Sequence, residues 1–393
     1  MLAGQRLNVL LFGNDPTTRG GAEEHMLMLA RALRRDSFRV VLACPPTVLS
    51  KFGADIPSDV VAEPIEYYNP TDIKGARQLA SLLRRHAIDI LHSHMFHASL
   101  VASPLGRFCG VPVIVETPHV REYWRRGWKR SYFVDRLVAR MVDAYIAVSE
   151  ANARYLAGEK RLPASKIRTI QNGIDTERFC PTRGEHGELR KAFGLAKFDS
   201  VIAVLARLEP QKGHALLLDA LSTVCKQFPR VCVVLLGEGS LREPLEQQAR
   251  SLDLTPNIKF AGFQGNTPEW LAASDFTVLP SLYEGLPLAA MESLAMARPV
   301  IATAVDGTPE VVLNGRTGLL VPPGDVSALA QAMCRLLEDR ELTCQLGIAG
   351  RQWIVDRFSI GRQIRDTEAL YFAAMKKKVR VPATADPVQT NLV

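Results

Sequence analysis

The stretch Pro280-Ser-Leu-Tyr-Glu-Gly-Leu-Pro-Leu-Ala-Ala-Met-Glu-Ser-Leu-Ala-Met-Ala297 follows a short apolar run, Phe276–Leu279. The run reads as a buried strand, and the stretch itself as a loop that turns into a helix. Glu284 and Gly285 lie in the loop. Pro287 suits the first helical turn, where its missing N–H costs nothing. Leu288–Ala297 has good helix formers throughout. Free amides at the helix start, around Leu286 and Leu288, are placed to cradle a phosphate. Glu292 lies just inside the helix, where a carboxylate can accept two vicinal hydroxyls of a ribose. Glu284 is placed for hydroxyls near a reacting carbon. The plainer alternative is an acidic first turn that only favours the helix dipole.

Working outward, the same strand–helix alternation fills the chain. Leu7–Phe12 is a strand pattern, and Ala22–Arg35 a helical one with Met26, Leu29, Ala30 and Leu33 on one face. Arg39–Ala43, Ile88–His92, Val111–Thr117 and Ala144–Val148 continue the strands, with a helix at Ile73–Leu83. The alternation breaks at the polar stretch Asp175–Gly187. It restarts with Val201–Leu205, Val231–Leu236, Ile258–Ala261, Phe276–Leu279, Val300–Thr303 and Leu319–Val321. Such alternation implies parallel sheets covered on both faces. The expected fold is α/β, with two Rossmann-like doubly wound domains facing across a cleft. Residues 1–180 form the first domain and 188–357 the second, joined near 176–187. A C-terminal helix near 358–376 is expected to pack back onto the first domain, leaving 377–393 as a flexible tail.

The 393 residues are 47% hydrophobic and 23% charged, ordinary globular material for two domains. A net charge of +7 suits anionic partners such as nucleotides, pyrophosphates or anionic lipid. The seven cysteines form no CxxC pair, which implies a reducing compartment rather than a disulfide framework. The first residues lack the long apolar core of a signal peptide. No run reaches the ~20 apolar residues of a spanning helix. The expected location is cytoplasmic, with any membrane contact peripheral at the inner face.

Further motifs follow in order. They are Gly20-Gly21-Ala-Glu23, Thr117-Pro-His119, Asn172-Gly-Ile-Asp175 and Arg207-Leu-Glu-Pro-Gln-Lys212-Gly213. Then come Gly237-Glu-Gly239, Gly307-Thr-Pro-Glu310 and Thr317-Gly-Leu-Leu-Val-Pro-Pro-Gly-Asp325. Glycines at Gly20 and Gly21 let a backbone approach a pyrophosphate at a helix start. They do not form G-x-G-x-x-G, so a nicotinamide cofactor is not indicated. With Glu284 to Glu292, this series resembles the E-x7-E signature and flanking motifs of family 4 glycosyltransferases over nearly the whole chain. The resemblance implies the GT-B fold and transfer of a sugar, with retention, from a nucleotide-sugar (UDP being the commonest base) to a glycan or lipid-linked acceptor. It implies a place in bacterial cell-surface polysaccharide or glycolipid synthesis.

The resemblance gives Arg207 and Lys212 the leaving β-phosphate, whose charge grows as the glycosidic bond breaks. It gives His119 the donor sugar and Glu284 the reacting region. Donor contacts fall to Gly20, Gly21, Phe263, Gly285, Leu286, Leu288 and Glu292. His94, Arg121 and Trp124 stand on the acceptor side. His92, His94 and His97 form H-x-H-x-x-H, but no carboxylate or cysteine pattern completes a metal site. There is no DxD motif, so neither metal nor cofactor is expected. Arg121–Arg130 interleaves Trp124 and Trp128 with basic residues, a composition suited to an anionic bilayer or a lipid pyrophosphate. Nucleic acid fits that composition too, but no recognition motif accompanies it. Two other functions share the overall pattern. A GT-B nucleotide-sugar 2-epimerase would need carboxylates placed for proton abstraction at C2. A non-catalytic sugar- or lipid-binding subunit would have lost a charged site residue, and none is missing.

Overall fold

The computed structural model describes residues 6–15, 20–123, 132–181 and 186–379. The first half runs β1 (Leu7–Phe12), α1 (Gly21–Ala32), β2 (Phe38–Cys44), α2 (Pro46–Phe52), β3 (Val61–Pro64), α3 (Ile73–Arg85) and β4 (Ile90–His94). It continues with α4 (Phe96–Phe108), β5 (Val113–Thr117), α5 (Tyr132–Val138), β6 (Ala144–Ala147), α6 (Glu150–Gly158) and β7 (Ile167–Thr169). The second half runs α7 (His186–Ala192), β8 (Ser200–Leu205), α8 (His214–Gln227), β9 (Val231–Leu236), α9 (Arg242–Ser251), β10 (Ile258–Gly262) and α10 (Thr267–Ala272). Then follow β11 (Phe276–Leu279), α11 (Leu288–Ala295), β12 (Val300–Thr303), α12 (Thr308–Val311), β13 (Gly318–Val321), α13 (Val326–Glu338), α14 (Arg340–Arg357) and α15 (Ile360–Val379).

The strands form two parallel sheets, ordered β3-β2-β1-β4-β5-β6-β7 and β10-β9-β8-β11-β12-β13. Both are doubly wound. The order reverses between β1 and β4 in the first and between β8 and β11 in the second, and ligands of such sheets bind at those crevices. Along β1, Leu10 and Phe12 join one core with Leu79, Val101 and Leu156 of α3, α4 and α6. Val9 and Leu11 join the opposite core with Met26 and Leu29 of α1 and Val48 of α2. β1 is therefore covered on both faces, which explains its nearly continuous apolar run.

The chain crosses between the domains at Asn172–Asp175 and returns at Phe358–Ile360. The two crossings are hydrogen-bonded: Ile174 N–H donates to Phe358 O (2.8 Å), and Ile360 N–H donates to Ile174 O (3.1 Å). After the return, α15 packs on the first domain through Ile364, Tyr371 and Met375. Arg34 and Glu368 pair at 2.7 Å across the α1–α15 contact. A hydrophobic cluster closes the seam, with Val148, Ile174 and Phe179 against Leu279, Leu286 and Met291.

Several bounds differ from the sequence pattern. The first helix ends at Ala32 because Leu33 leaves helical backbone at ψ 135°. The helix after the Trp-rich segment, expected over Tyr132–Met141, ends at Val138. The last helix extends through Val379, with Lys376, Lys377 and Lys378 suiting its carboxyl end; residues 380–393 lie outside the described set. The strands β3 and β7 have no apolar run to mark them: they are short edge strands with alternating partial burial.

Gln363 of α15 is buried and spans the crossing. It accepts Gly173 N–H at 2.6 Å and donates to His25 Nε2 at 2.5 Å. Gln363→Ala strands both partners in the interior. It is expected to lower stability by about 2 kcal/mol, seen as a reduced urea midpoint with an unchanged slope.

Candidate active site

The predicted phosphate-side residues gather at the second sheet's switch point, whereas Phe263 lies past the edge strand β10. Arg207 and Lys212 follow β8, and Glu284 to Leu288 follow β11, so both groups leave neighbouring strands at the second sheet's reversal. Lys212 and Glu284 pair at 2.6 Å, both largely shielded from solvent. Glu284 N–H donates to Asp306 Oδ2 at 3.0 Å, which anchors the loop backbone. From the first domain, the Gly20 loop reaches the same place. A Cβ on Gly20 would lie 3.6 Å from Arg207 Nε, whereas one on Gly21 would meet nothing within 4 Å. Gly20 N–H donates to Glu23 Oε2 at 3.0 Å, which closes the turn into α1.

The closest approach is between backbones. A Cβ on Gly285 would collide with the carbonyl oxygen of His119, and one on Gly307 with the carbonyl oxygen of Gly285. Only glycine permits this stacking, because any other residue puts a carbon where those oxygens lie. His119 is thereby held beside the loop of Glu284. Seen from the other domain, Glu310 of α12 accepts the backbone N–H groups of Glu150 (3.0 Å) and Ala151 (2.9 Å) at the start of α6. A carboxylate there complements the helix dipole.

The H-x-H-x-x-H series does not act as a unit. His92 is bonded to Tyr371 Oη (2.6 Å) and Thr117 Oγ1 (2.7 Å), and His97 is exposed on α4. His94 instead meets His119, Nδ1 to Nε2 at 3.1 Å, and both rings lie near His25 of α1. His25, His94 and His119 offer nitrogens within 4.8 Å of one another. Burial holds all three rings neutral, with His25 lowered to about 3. The Gly173 bond orients the Gln363 amide so that its nitrogen faces His25. His25 Nε2 must then accept, and its proton sits on Nδ1. Next to His94, Met95 holds a φ of 74°, a left-handed backbone at the end of β4, and donates its N–H to Thr117 O at 2.9 Å.

Two carboxyls in the cleft titrate near neutrality. Burial pushes Glu292 up to about 8, with Glu24 adding to the rise and Arg178 opposing it. Burial likewise raises Glu23 to about 7; Asp15 adds to it, while backbone hydrogen bonds and Arg207 lower it. Leu286 is buried, with its carbonyl 3.3 Å from Asn172 Nδ2, and Leu288 opens α11. Phe263 is exposed just past β10. Arg121 pairs with Glu159 and lies over the Tyr123 ring at 5.0 Å, which ties it to the seam. Trp124 lies outside the described residues. His25, Asp306, Gln363 and Tyr371 were not legible as site residues. Asp306 alone left a signal, standing before Gly307 in a quoted motif.

Two parallel doubly wound domains with facing ligand crevices make this chain an α/β protein of GT-B architecture. Residues 19–178 match the family described as Glycosyltransferase Family 4, and residues 186–353 match Glycosyl transferases group 1. The chain belongs to this glycosyltransferase family and is a transferase enzyme. It is 27% identical over 314 residues to the UDP-Gal:alpha-D-GlcNAc-diphosphoundecaprenol alpha-1,3-galactosyltransferase of Escherichia coli, covering 78% of this chain and 81% of that one. It is 27% identical over 366 residues to a GDP-mannose-dependent alpha-(1-6)-phosphatidylinositol monomannoside mannosyltransferase of Mycolicibacterium smegmatis, covering 89% and 94%. The fold matches Anabaena Alr3699/HepE in complex with UDP-glucose at a TM-score of 0.83 and 22% identity, over 94% of this chain and 100% of that one.

Gly285→Ala is expected to force apart the His119 and Glu284 loops, costing about 1–3 kcal/mol and most of the turnover. Gly21→Ala, which meets open space, is expected to leave the melting temperature unchanged. Calorimetry of the two variants beside the parent separates them.

Proposed function

We propose that this chain transfers a sugar, with retention, from a nucleotide-sugar donor, UDP-linked in preference, to a glycan or lipid-linked acceptor in bacterial cell-surface polysaccharide or glycolipid synthesis. The observation that carries it is the meeting of Arg207, the Lys212–Glu284 pair and the start of α11 with the carbonyl of His119 on Gly285. UDP is favoured by the Escherichia coli relative and by the UDP-glucose complex of the structural neighbour. The acceptors in both relatives' names are lipid-linked or lipids, which supports an acceptor delivered at a membrane face.

In this proposal the diphosphate lies against the amides of Leu286 and Leu288, with Gly20 and Gly21 opposite and Phe263 beside the base. Glu292 takes the ribose hydroxyls, and Arg207 and Lys212 take the charge that builds on the β-phosphate. The anomeric C–O bond to phosphate breaks as the acceptor oxygen bonds on the same face. The acceptor proton passes to the departing phosphate oxygen. With attack on the same face no carboxylate nucleophile is called for, and Glu284, paired with Lys212, orients the sugar. His94 and Arg121 border the acceptor side. No metal or cofactor takes part, and the nucleotide-sugar is a substrate.

Glu284→Ala is expected to lower kcat by about 10²–10³ while donor affinity falls less; an unchanged kcat removes the role. Donor incubated without acceptor is expected to return unepimerised. A thermal-shift series of UDP, GDP and ADP tests the base, since a ligand of the folded state raises Tm by mass action. Ribose binding requires the ionised form of Glu292, which in the free protein is protonated below about 8. Donor affinity should therefore rise with pH, about tenfold per pH unit below that value, and level above it. Glu292→Gln should flatten the profile in titration calorimetry.

A further inference from the structure

Asp306 stands between β12 and α12 with a φ of 41°, in the left-handed backbone region. Glycine takes that backbone without strain, and aspartate is among the few other residues that tolerate it. The backbone at 306 would suit glycine better, so the carboxylate is what the position gains. Both of its oxygens are engaged. Oδ2 accepts Glu284 N–H at 3.0 Å, and Oδ1 accepts the Tyr123 hydroxyl at 3.1 Å. Glu284 belongs to the loop after β11 and Tyr123 to the loop after β5, so one short carboxylate spans the two domains.

The loop after β5 is also fixed on its other sides. The Tyr123 ring lies on that of Tyr283, the neighbour of Glu284, with centroids 4.8 Å apart. Arg121 lies over the Tyr123 ring and comes within 4.0 Å of Asp306 Oδ1. Between them Glu122 is buried on Lys160 at 2.9 Å, and Lys160 also holds Asp135 of α5 at 2.7 Å. The loop is rooted in the first domain by Glu122 and reaches the second through Tyr123.

We infer that Asp306 is a positioning residue that couples the loop of Glu284 to the acceptor-side loop 118–123. The inference rests on the donor site proposed above, in which the diphosphate lies against the amides of Leu286 and Leu288. A nucleotide seated there restrains the loop of Glu284. Asp306 passes that restraint to Tyr123, because a carboxylate on a short side chain holds both partners in one plane. The acceptor side is therefore ordered in step with donor binding, and by linkage an ordered acceptor side favours the donor equally.

The test is hydrogen exchange of the full chain, free and with UDP and GDP in turn, read on peptides covering 118–123 and 282–288. In the parent one nucleotide is expected to slow both peptides, 118–123 by about tenfold. In Tyr123→Phe, which keeps the ring on Tyr283, the nucleotide should still slow 282–288 and no longer slow 118–123. Asp306→Gly, whose backbone glycine adopts freely, should lose the coupling in the same way. Asp306→Asn keeps an oxygen for Glu284 N–H and an amide for the Tyr123 hydroxyl, and should restore it. Should Asp306→Gly unfold, Tyr123→Phe carries the test. A Tyr123→Phe variant whose 118–123 slows like the parent's overturns the coupling, and so does a parent in which only 282–288 slows. An Asp306→Asn variant as uncoupled as Asp306→Gly also overturns it, since geometry alone would then not suffice. A parent slowed at neither peptide by either nucleotide overturns the donor site and the coupling with it.

Discussion

The carbonyl oxygen of His119 rests where a side chain of residue 285 would begin, and the carbonyl of Gly285 rests where one of residue 307 would begin. This run of three backbones across the seam is the constraint from which the rest follows. It brings the loop after β5 of one domain onto the loop after β11 of the other. Glu284, one residue away, then has its amide on Asp306 and its carboxylate on Lys212. No flexible side chain intervenes in the stacking, so position is transmitted by van der Waals contact of main chain on main chain.

The returning helix α15 adds a second layer of control. Its buried Gln363 and Tyr371 reach His25 and His92, the rings beside and beneath His94 and His119. Both are neutral polar groups in an interior that disfavours charge, and each must be paired. By pairing them, α15 settles which nitrogen of His25 carries the proton. The same helix bonds to the linker at Gly173, so the histidine group and the hinge between domains share one residue.

The cleft combines cations with carboxyls held near neutrality. Glu23 and Glu292 are raised by burial, whereas Lys212 is matched by Glu284 at contact distance. Burial therefore sets the charge of these two carboxyls as much as any neighbouring cation does.

The sequence by itself determined the architecture. Strands buried on both faces are largely apolar, so β1, β9 and β11 announce themselves, and the β11–α11 loop is local enough for Glu284, Pro287 and Glu292 to be read together. Edge strands such as β3 and β7 escape that signal because half their surface is wet. Only the tertiary structure decided the partners of the buried polar groups. Gln363 meets His25 across 338 residues, and Gly285 meets His119 through a glycine whose need is steric. Neither contact has a spacing or a periodicity. One arises where the returning α15 packs on α1 and the other where the two domains meet, and complementarity of that kind is a property of surfaces rather than of neighbouring residues.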